Sequence, residues 1–216
     1  MTWLRHALVS LAVAGVLAAI ASGSARAAVL LDQVSAGTFN SVAGLSNGST
    51  FGRSQTFTVG LAGILDSVEV SFFPPSGAPT TLRILATSGG VPIGGAAGST
   101  VLATSTLVTG VGGVFTFDLS PSALAVAVGD VLAIEPFGSG SWLGTSTNPY
   151  APGSDHFFSA PSPNTWTVNS GSDNFFRTFV QVAQVPEPAS LTLFAAGLAA
   201  LGLIGWRRRR ERGDAP

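Results

Sequence analysis

The acidic side chains in the middle of the chain are the first candidates for chemistry. Glu69 and Asp118 each sit where polar and apolar residues alternate. Glycoside hydrolysis needs two such carboxylates facing each other across roughly 5 to 9.5 Å. The alternation aims both at water, and nothing in their spacing sets them opposite one another. His156 is the only histidine besides His6. A Ser-His-Asp triad would require it to touch both a nucleophile and an acid. No Gly-x-Ser-x-Gly segment stands at a strand-to-helix turn, and Gly138-Ser139-Gly140-Ser141-Trp142 reads as a hairpin loop. The absence of cysteine excludes disulfides, thiol nucleophiles and Cys-ligated zinc, and one histidine excludes a His cluster. Asp155, Asp173 and Asn174 are hard oxygen donors of the kind calcium takes, so structural calcium stays open. Their spacing follows no calcium-loop signature, and residues of these types also satisfy backbone groups in turns. No catalytic residue, resident metal or other cofactor is assigned.

A denser constellation is aromatic. Trp142, Tyr150, Phe157, Phe158 and Trp166 fall within 25 positions, interspersed with Asn148, Asp155, His156, Asn164 and Asn174. Flat rings stack on the C–H faces of sugars while amides and carboxylates bond their hydroxyls. Trp142, Asn148, Tyr150, Asp155 and His156 are therefore the candidate glycan-binding residues. Trp142, near Gly-rich turns, and Tyr150, after Pro149, are expected to be exposed. Core packing is the competing reading, above all for Trp166 in Thr165-Trp166-Thr167.

The elements that must position these residues are strands. Val68, Val70 and Phe72 alternate with Ser67, Glu69 and Ser71, and Phe115, Phe117 and Leu119 alternate with Thr116 and Asp118, the period of a half-buried strand. Further strands are expected near Ser54–Val59, Thr80–Ala86, Thr100–Val108, Asp130–Phe137, Asn164–Val168 and Phe175–Val182. Between them stand Pro74-Pro75-Ser76-Gly77, Ser88-Gly89-Gly90, Gly110-Val111-Gly112-Gly113 and Gly138-Ser139-Gly140, which are turn chemistry. The expected fold is all-β: an antiparallel sandwich over residues 28–182, flanked by an N-terminal signal helix and a C-terminal transmembrane helix.

Charge separates the domain from its ends. The 216 residues carry 10% charged and 46% hydrophobic residues and a formal net charge of -1. Residues 28–182 hold Arg53, Arg83 and Arg177 against eight acids, a net charge of -5. Such a domain repels phosphate backbones, so nucleic acid is excluded as a partner. Arg5 and His6, the apolar run Ala7–Ala21 and the small-x-small triplet Ala25-Arg26-Ala27 read as a cleavable secretory signal over residues 1–27. The Sec export machinery is then a partner, and the mature chain is expected to begin near Ala28. At the other end, a linker of residues 183–188 contains Pro186-Glu187-Pro188. It leads into the apolar segment 189–206, whose 18 residues are just enough to cross a bilayer. Arg207, Arg208, Arg209 and Arg210 follow within a tail of residues 207–216. Cations placed there stay cytoplasmic, which sets the middle domain on the exported side. Glu211 and Asp214 weigh little in that rule.

Pro186-Glu187-Pro188, an apolar span and an arginine cluster, in that order, resemble the PEP-CTERM sorting signal of Gram-negative bacteria. The resemblance covers about residues 185–212. It implies export and anchoring in the inner membrane with the domain on the periplasmic side. An exosortase would then cut near the motif, and the product would pass to the cell surface or to an extracellular matrix of exopolysaccharide or biofilm. The order Gln55-Thr56-Phe57-Thr58, Leu65-Asp66-Ser67-Val68, Leu82-Arg83-Ile84-Leu85, Val101-Leu102-Ala103-Thr104-Ser105, Phe115-Thr116-Phe117-Asp118-Leu119, Asn148-Pro149-Tyr150 and Phe176-Arg177-Thr178-Phe179 is also similar to jelly-roll modules of secreted bacterial proteins. With no catalytic constellation in the domain, the leading expectation is a non-enzymatic surface or matrix protein. A carbohydrate-binding module is the alternative, and a secreted hydrolase a more remote one.

Overall fold

The computed structural model describes residues 27–35, 37, 40–47, 50–73, 79–94, 98–108, 113–160, 165–183 and 197–202. Residues 1–26, including Ala25, lie outside them, as do Asn164, Pro186, Glu187, Pro188 and Arg207 to Arg210. Of the expected span 189–206, only 197–202 are described, and they are helical. Among the described residues no helix is long and apolar enough to cross a membrane.

Ala27–Val182 form one compact unit built almost wholly of strands. In chain order these are β1 (Ala28–Ser35), β2 (Ser41–Gly44), β3 (Phe51–Thr58), β4 (Gly63–Phe73), β5 (Pro79–Ser88), β6 (Val91–Pro92), β7 (Val101–Val108) and β8 (Gly113–Asp118). A 3-10 turn (Ser120–Ser122) precedes β9 (Ala125–Val126), β10 (Val131–Phe137), β11 (Ser141–Thr145), β12 (Asp155–Ser159), β13 (Thr167–Asn169), β14 (Asp173–Asn174) and β15 (Phe176–Val182).

The strands form two antiparallel sheets. One runs β1-β15-β4-β11-β14, with β8 and β9 on β4 and β2 on β11; the other runs β13-β12-β3-β10-β5-β6, with β7 on β5. The longer strands give the two pairing orders β1-β15-β4-β8 and β3-β10-β5-β7. The alternating residues read from the sequence meet between the sheets. Val68, Val70, Phe72 and Phe117 from one sheet pack with Phe57, Leu82, Ile84 and Ile134 from the other. Complete burial of such side chains contributes about 1.5–3 kcal/mol each, which is the force closing the sandwich.

A smaller cluster covers the opposite face of the second sheet. Leu85 and Ala133, on the far side of their strands from Ile84 and Ile134, pack with Phe158 and Trp166. Phe158 and Trp166 meet edge-on with centroids 4.8 Å apart. A Cβ at Gly52 would collide with the Phe158 ring, so glycine at that position seats the aromatic pair on the strand.

Several segments depart from expectation. Ser141 and Trp142, read as part of a hairpin loop, begin strand β11 (Ser141–Thr145), and Asp155–Ser159, where no strand was expected, form strand β12. Within Asn164–Val168 the described strand residues are Thr167 and Val168, in β13 (Thr167–Asn169). The glycines at 138 and 140, with φ of 150° and 135°, turn the chain between β10 and β11 and release it into a paired strand before Trp142.

Candidate functional site

The expected aromatic face is turned inward. Trp142 stands opposite Phe72 on one side and Ala43 on the other, and its side chain is fully buried in the inter-sheet core. Its Nε1–H donates to the Phe175 carbonyl at 2.8 Å, satisfying the indole's only donor. Tyr150 is 5% exposed. Its ring meets Phe176 edge-on at 5.1 Å, while its hydroxyl donates to Gln33 Oε1 at 3.0 Å and accepts from the Thr58 backbone N–H at 3.1 Å. Burial pushes the phenol above its ordinary range. The expected exposure of Trp142 and Tyr150 is therefore corrected: their rings and polar atoms are spent inside the sandwich, leaving no flat face for a sugar. Asn148 remains exposed, its amide donating to the Ser170 carbonyl at 3.3 Å.

Asp155 is fully buried and also unavailable to a surface ligand. It pairs with Arg53 and accepts from Asn169 Nδ2 (3.1 Å), Ser172 Oγ (3.0 Å) and Asn174 Nδ2 (2.9 Å). Asp173, 1% exposed, accepts from Gln55 Nε2 at 3.0 Å and from the Tyr150 backbone N–H at 2.7 Å. Burial pushes its carboxyl up, against the opposing pull of these two donors. Gln55 Oε1 in turn accepts from the Asn174 N–H at 2.9 Å. Gln55 and Asp155 belong to the second sheet and Asp173 and Asn174 to the first, so this network fastens the sheets at one end with hydrogen bonds. Among the described residues no group of three or more His, Asp or Glu is placed to hold a metal ion.

The hydrolase candidates are each engaged by other partners. Glu69 pairs with Arg177 at 3.2 Å, and Asp118 caps the following turn through the Ser120 N–H (2.9 Å) and hydroxyl (2.6 Å). Both lie on the outer face of the first sheet, in register with Thr116 and Ser67. His156 stands directly across from Ser54, yet Ser54 Oγ is buried without a hydrogen-bond partner, so no Ser-His pair forms.

His156 does line an open cleft. The cleft has a volume of ≈ 260 Å³ and lies against the second sheet between the turn Gly89-Gly90 and the segment Ala151–Ser154. The imidazole is 1% exposed, and its Nδ1 lies 3.0 Å from the Ser154 carbonyl. Burial pushes its pKa down, outweighing the Ser154 carbonyl and the Asp155 charge, which act the other way. The contributions of Arg53, Gln55, Ser154, Asn169 and Ser172 were not legible beforehand, because isolated polar residues carry no spacing signal. The Gly-Gly turn between β5 and β6 was legible, but only as a turn.

The C-terminal region is decided by comparison with known families. The model of the PEP-CTERM protein-sorting motif matches residues 184–210. The chain carries a PEP-CTERM sorting signal. The matched stretch contains Pro186, Glu187 and Pro188 and all four of Arg207 to Arg210. A PEP-CTERM signal implies export, membrane-associated sorting in Gram-negative bacteria and an exosortase as processing partner. Among solved structures, the chain is similar to the cysteine protease and lectin-like domains of Cwp84, a surface layer associated protein of Clostridium difficile. The identity is 12% and the TM-score 0.48, over 72% of this chain and 36% of that one. The chain thus spans about a third of that protein's chain. No curated protein matches in sequence.

Proposed function

We propose that this is a non-enzymatic protein of the cell surface or extracellular matrix, delivered to exopolysaccharide or biofilm. The Sec machinery exports it behind a cleaved signal, and residues 189–206 hold it in the inner membrane with the β domain on the periplasmic side. An exosortase then processes it. The observation that carries this reading is the PEP-CTERM motif at residues 184–210. The domain supports it from the other side: the first strand starts at Ala28, the residue after the small-x-small triplet, and the last ends at Val182, just before the linker.

The same β domain has the pairing order of a jelly roll, eight principal strands split between two sheets. In this reading it is a display or matrix module. Its carboxylates serve as hydrogen-bond anchors in place of calcium ligands, since Asp155 and Asp173 already receive N–H donors on both oxygens. Glu69 and Asp118 are similarly engaged.

The test is replacement of Pro186, Glu187 and Pro188 by alanine in the native host. The expected product stays in the inner membrane at the mass of the unprocessed, signal-cleaved chain. Unchanged mass and location would overturn sorting by this motif. Release of new reducing ends from the host polysaccharide by the purified protein would overturn the non-enzymatic assignment.

A further inference from the structure

The cleft beside His156 has the chemistry of a binding site. Its floor includes Thr56 and His156, and its walls carry Val91, Val131, Pro152 and Val168. Thr56 Oγ1 is committed to Ser154, donating to its carbonyl at 3.1 Å and accepting its N–H at 2.8 Å. His156 is not fully committed. Nδ1 faces the Ser154 carbonyl at 3.0 Å, and a carbonyl can only accept, so the proton of the neutral ring sits on Nδ1. Nε2 is left as an acceptor, and among the described residues no protein donor reaches it. An imidazole that is 1% exposed, at the floor of an open cleft and with one ring nitrogen unmatched, is set up to receive a donor from outside.

The remaining walls define what that donor belongs to. Aside from the neutral imidazole, no titratable side chain among the described residues lines the cleft, so a charged ligand would lose its hydration without compensation. The domain's net charge of -5 further disfavours anions. The apolar faces of Val168 and Pro152 suit C–H groups. At the rim, Gly89 and Gly90 adopt φ of 59° and 79°, and a Cβ added to either would meet nothing within 4 Å, so space beside the turn is unoccupied by the described residues. We propose that this cleft binds one uncharged sugar unit, a ring hydroxyl donating to His156 Nε2 while the C–H face lies against Val168 and Pro152. The site is separate from the buried aromatic set and does not depend on the sorting signal.

The experiment uses the full chain in detergent, labelled with 15N-histidine and titrated with methyl hexosides and N-acetylhexosamines. For at least one sugar the His156 Nε2 resonance should shift saturably in the direction of hydrogen-bond acceptance, with little change at Nδ1. Gly90→Asn, which tolerates the left-handed turn and fills the rim, should weaken binding at least tenfold, as should Val168→Arg. Binding should persist when Pro186, Glu187 and Pro188 are all alanine, which separates failure of this site from failure of sorting. No shift with any sugar up to about 100 mM, weaker than the millimolar binding expected of one unit, would overturn the proposal. So would a shift that survives both rim variants. Adding the polymeric host polysaccharide tells an internal unit from a free sugar: displacement of the bound methyl glycoside supports recognition within a chain, and its absence supports a free or terminal sugar.

Discussion

Ala28 and Val182 stand opposite one another in the antiparallel ladder between β1 and β15. The first and last residues of the sheet are thus cross-strand neighbours, so both ends of the β domain lie at one corner of it. The topology also sets an order of events. β15 lies between β1 and β4, so the N-terminal strand has nothing to pair with until residues 176–182 are available. Closure of the first sheet therefore follows export of nearly the whole chain before the PEP-CTERM signal.

Val180 tests that dependence. It is fully buried, opposite Leu30 and Leu65 in the register of β1 and β4. Ending the exported domain after Phe179 should abolish the cooperative urea transition, whereas ending it after Ala183 should leave the midpoint unchanged. Val180→Ala should cost about 2 kcal/mol, in the range of methyl deletions from a packed core.

The polar fastening between the sheets makes the second prediction. Removing Asp155 strands the Arg53 guanidinium, which is 15% exposed, and leaves Asn169, Ser172 and Asn174 without their shared acceptor. Breaking a largely buried ion pair from one side costs about 3–5 kcal/mol. Asp155→Ala should lower the urea midpoint accordingly, and Asp155→Asn somewhat less, because the amide still offers one acceptor oxygen. Equal stability of Asp155→Ala and the parent would show that the network does not hold the sheets.

What was legible in the sequence follows from where each partner lies. Val68, Val70 and Phe72 read correctly because period two acts within one strand and the core needs only apolar character. The sorting signal was legible because it is a linear pattern whose parts need no tertiary contact. β12 was not legible, since its Asp155 and His156 look like loop residues until their partners are placed. Gln55 is 118 positions from Asp173 and Asn174 is 19 from Asp155. Trp142 misled for a related reason: glycines on its N-terminal side suggested a loop tip, but they make the turn that delivers the indole to the core.

Glu135 gives the third prediction. It is 2% exposed, its Oε2 has no hydrogen bond, and Arg83 Nη1 is 3.6 Å away. Burial raises its pKa, against the opposing effects of the Ser46 hydroxyl and of Arg83. A carboxyl whose folded pKa lies above its unfolded value of 4.5 holds its proton better in the folded state. Its contribution is therefore greatest below 4.5 and is lost as pH rises through the raised value. Glu135→Gln should remove part of that loss and match or exceed the parent at pH 7 by up to about 1 kcal/mol. Arg83 tolerates the change, stacked at 4.1 Å from the Phe137 ring centroid and partly exposed. Asp173, also raised, leaves a residual slope in the variant. A variant less stable than the parent at pH 7 would show that the Arg83 pair outweighs the desolvation of Glu135.

His156 titrates with the opposite sign. Its folded pKa lies below the unfolded 6.5, because burial disfavours the imidazolium more than Asp155 and the Ser154 carbonyl favour it. As pH falls below 6.5 the unfolded chain takes up the proton first, and stability present above 6.5 is progressively lost until the folded pKa is passed. Glu135 and Asp173 work against this trend, so the raw pH profile mixes the two signs. A comparison with His156→Gln isolates the histidine. The stability difference between parent and variant should be constant above 7 and should shift toward the variant below 6.5, by at most about 1.4 kcal/mol per pH unit for one proton. A pH-independent difference would mean that the imidazole remains solvated. It would also remove the basis for an unfilled acceptor at the floor of the cleft, because a hydrated Nε2 already has its donor in water.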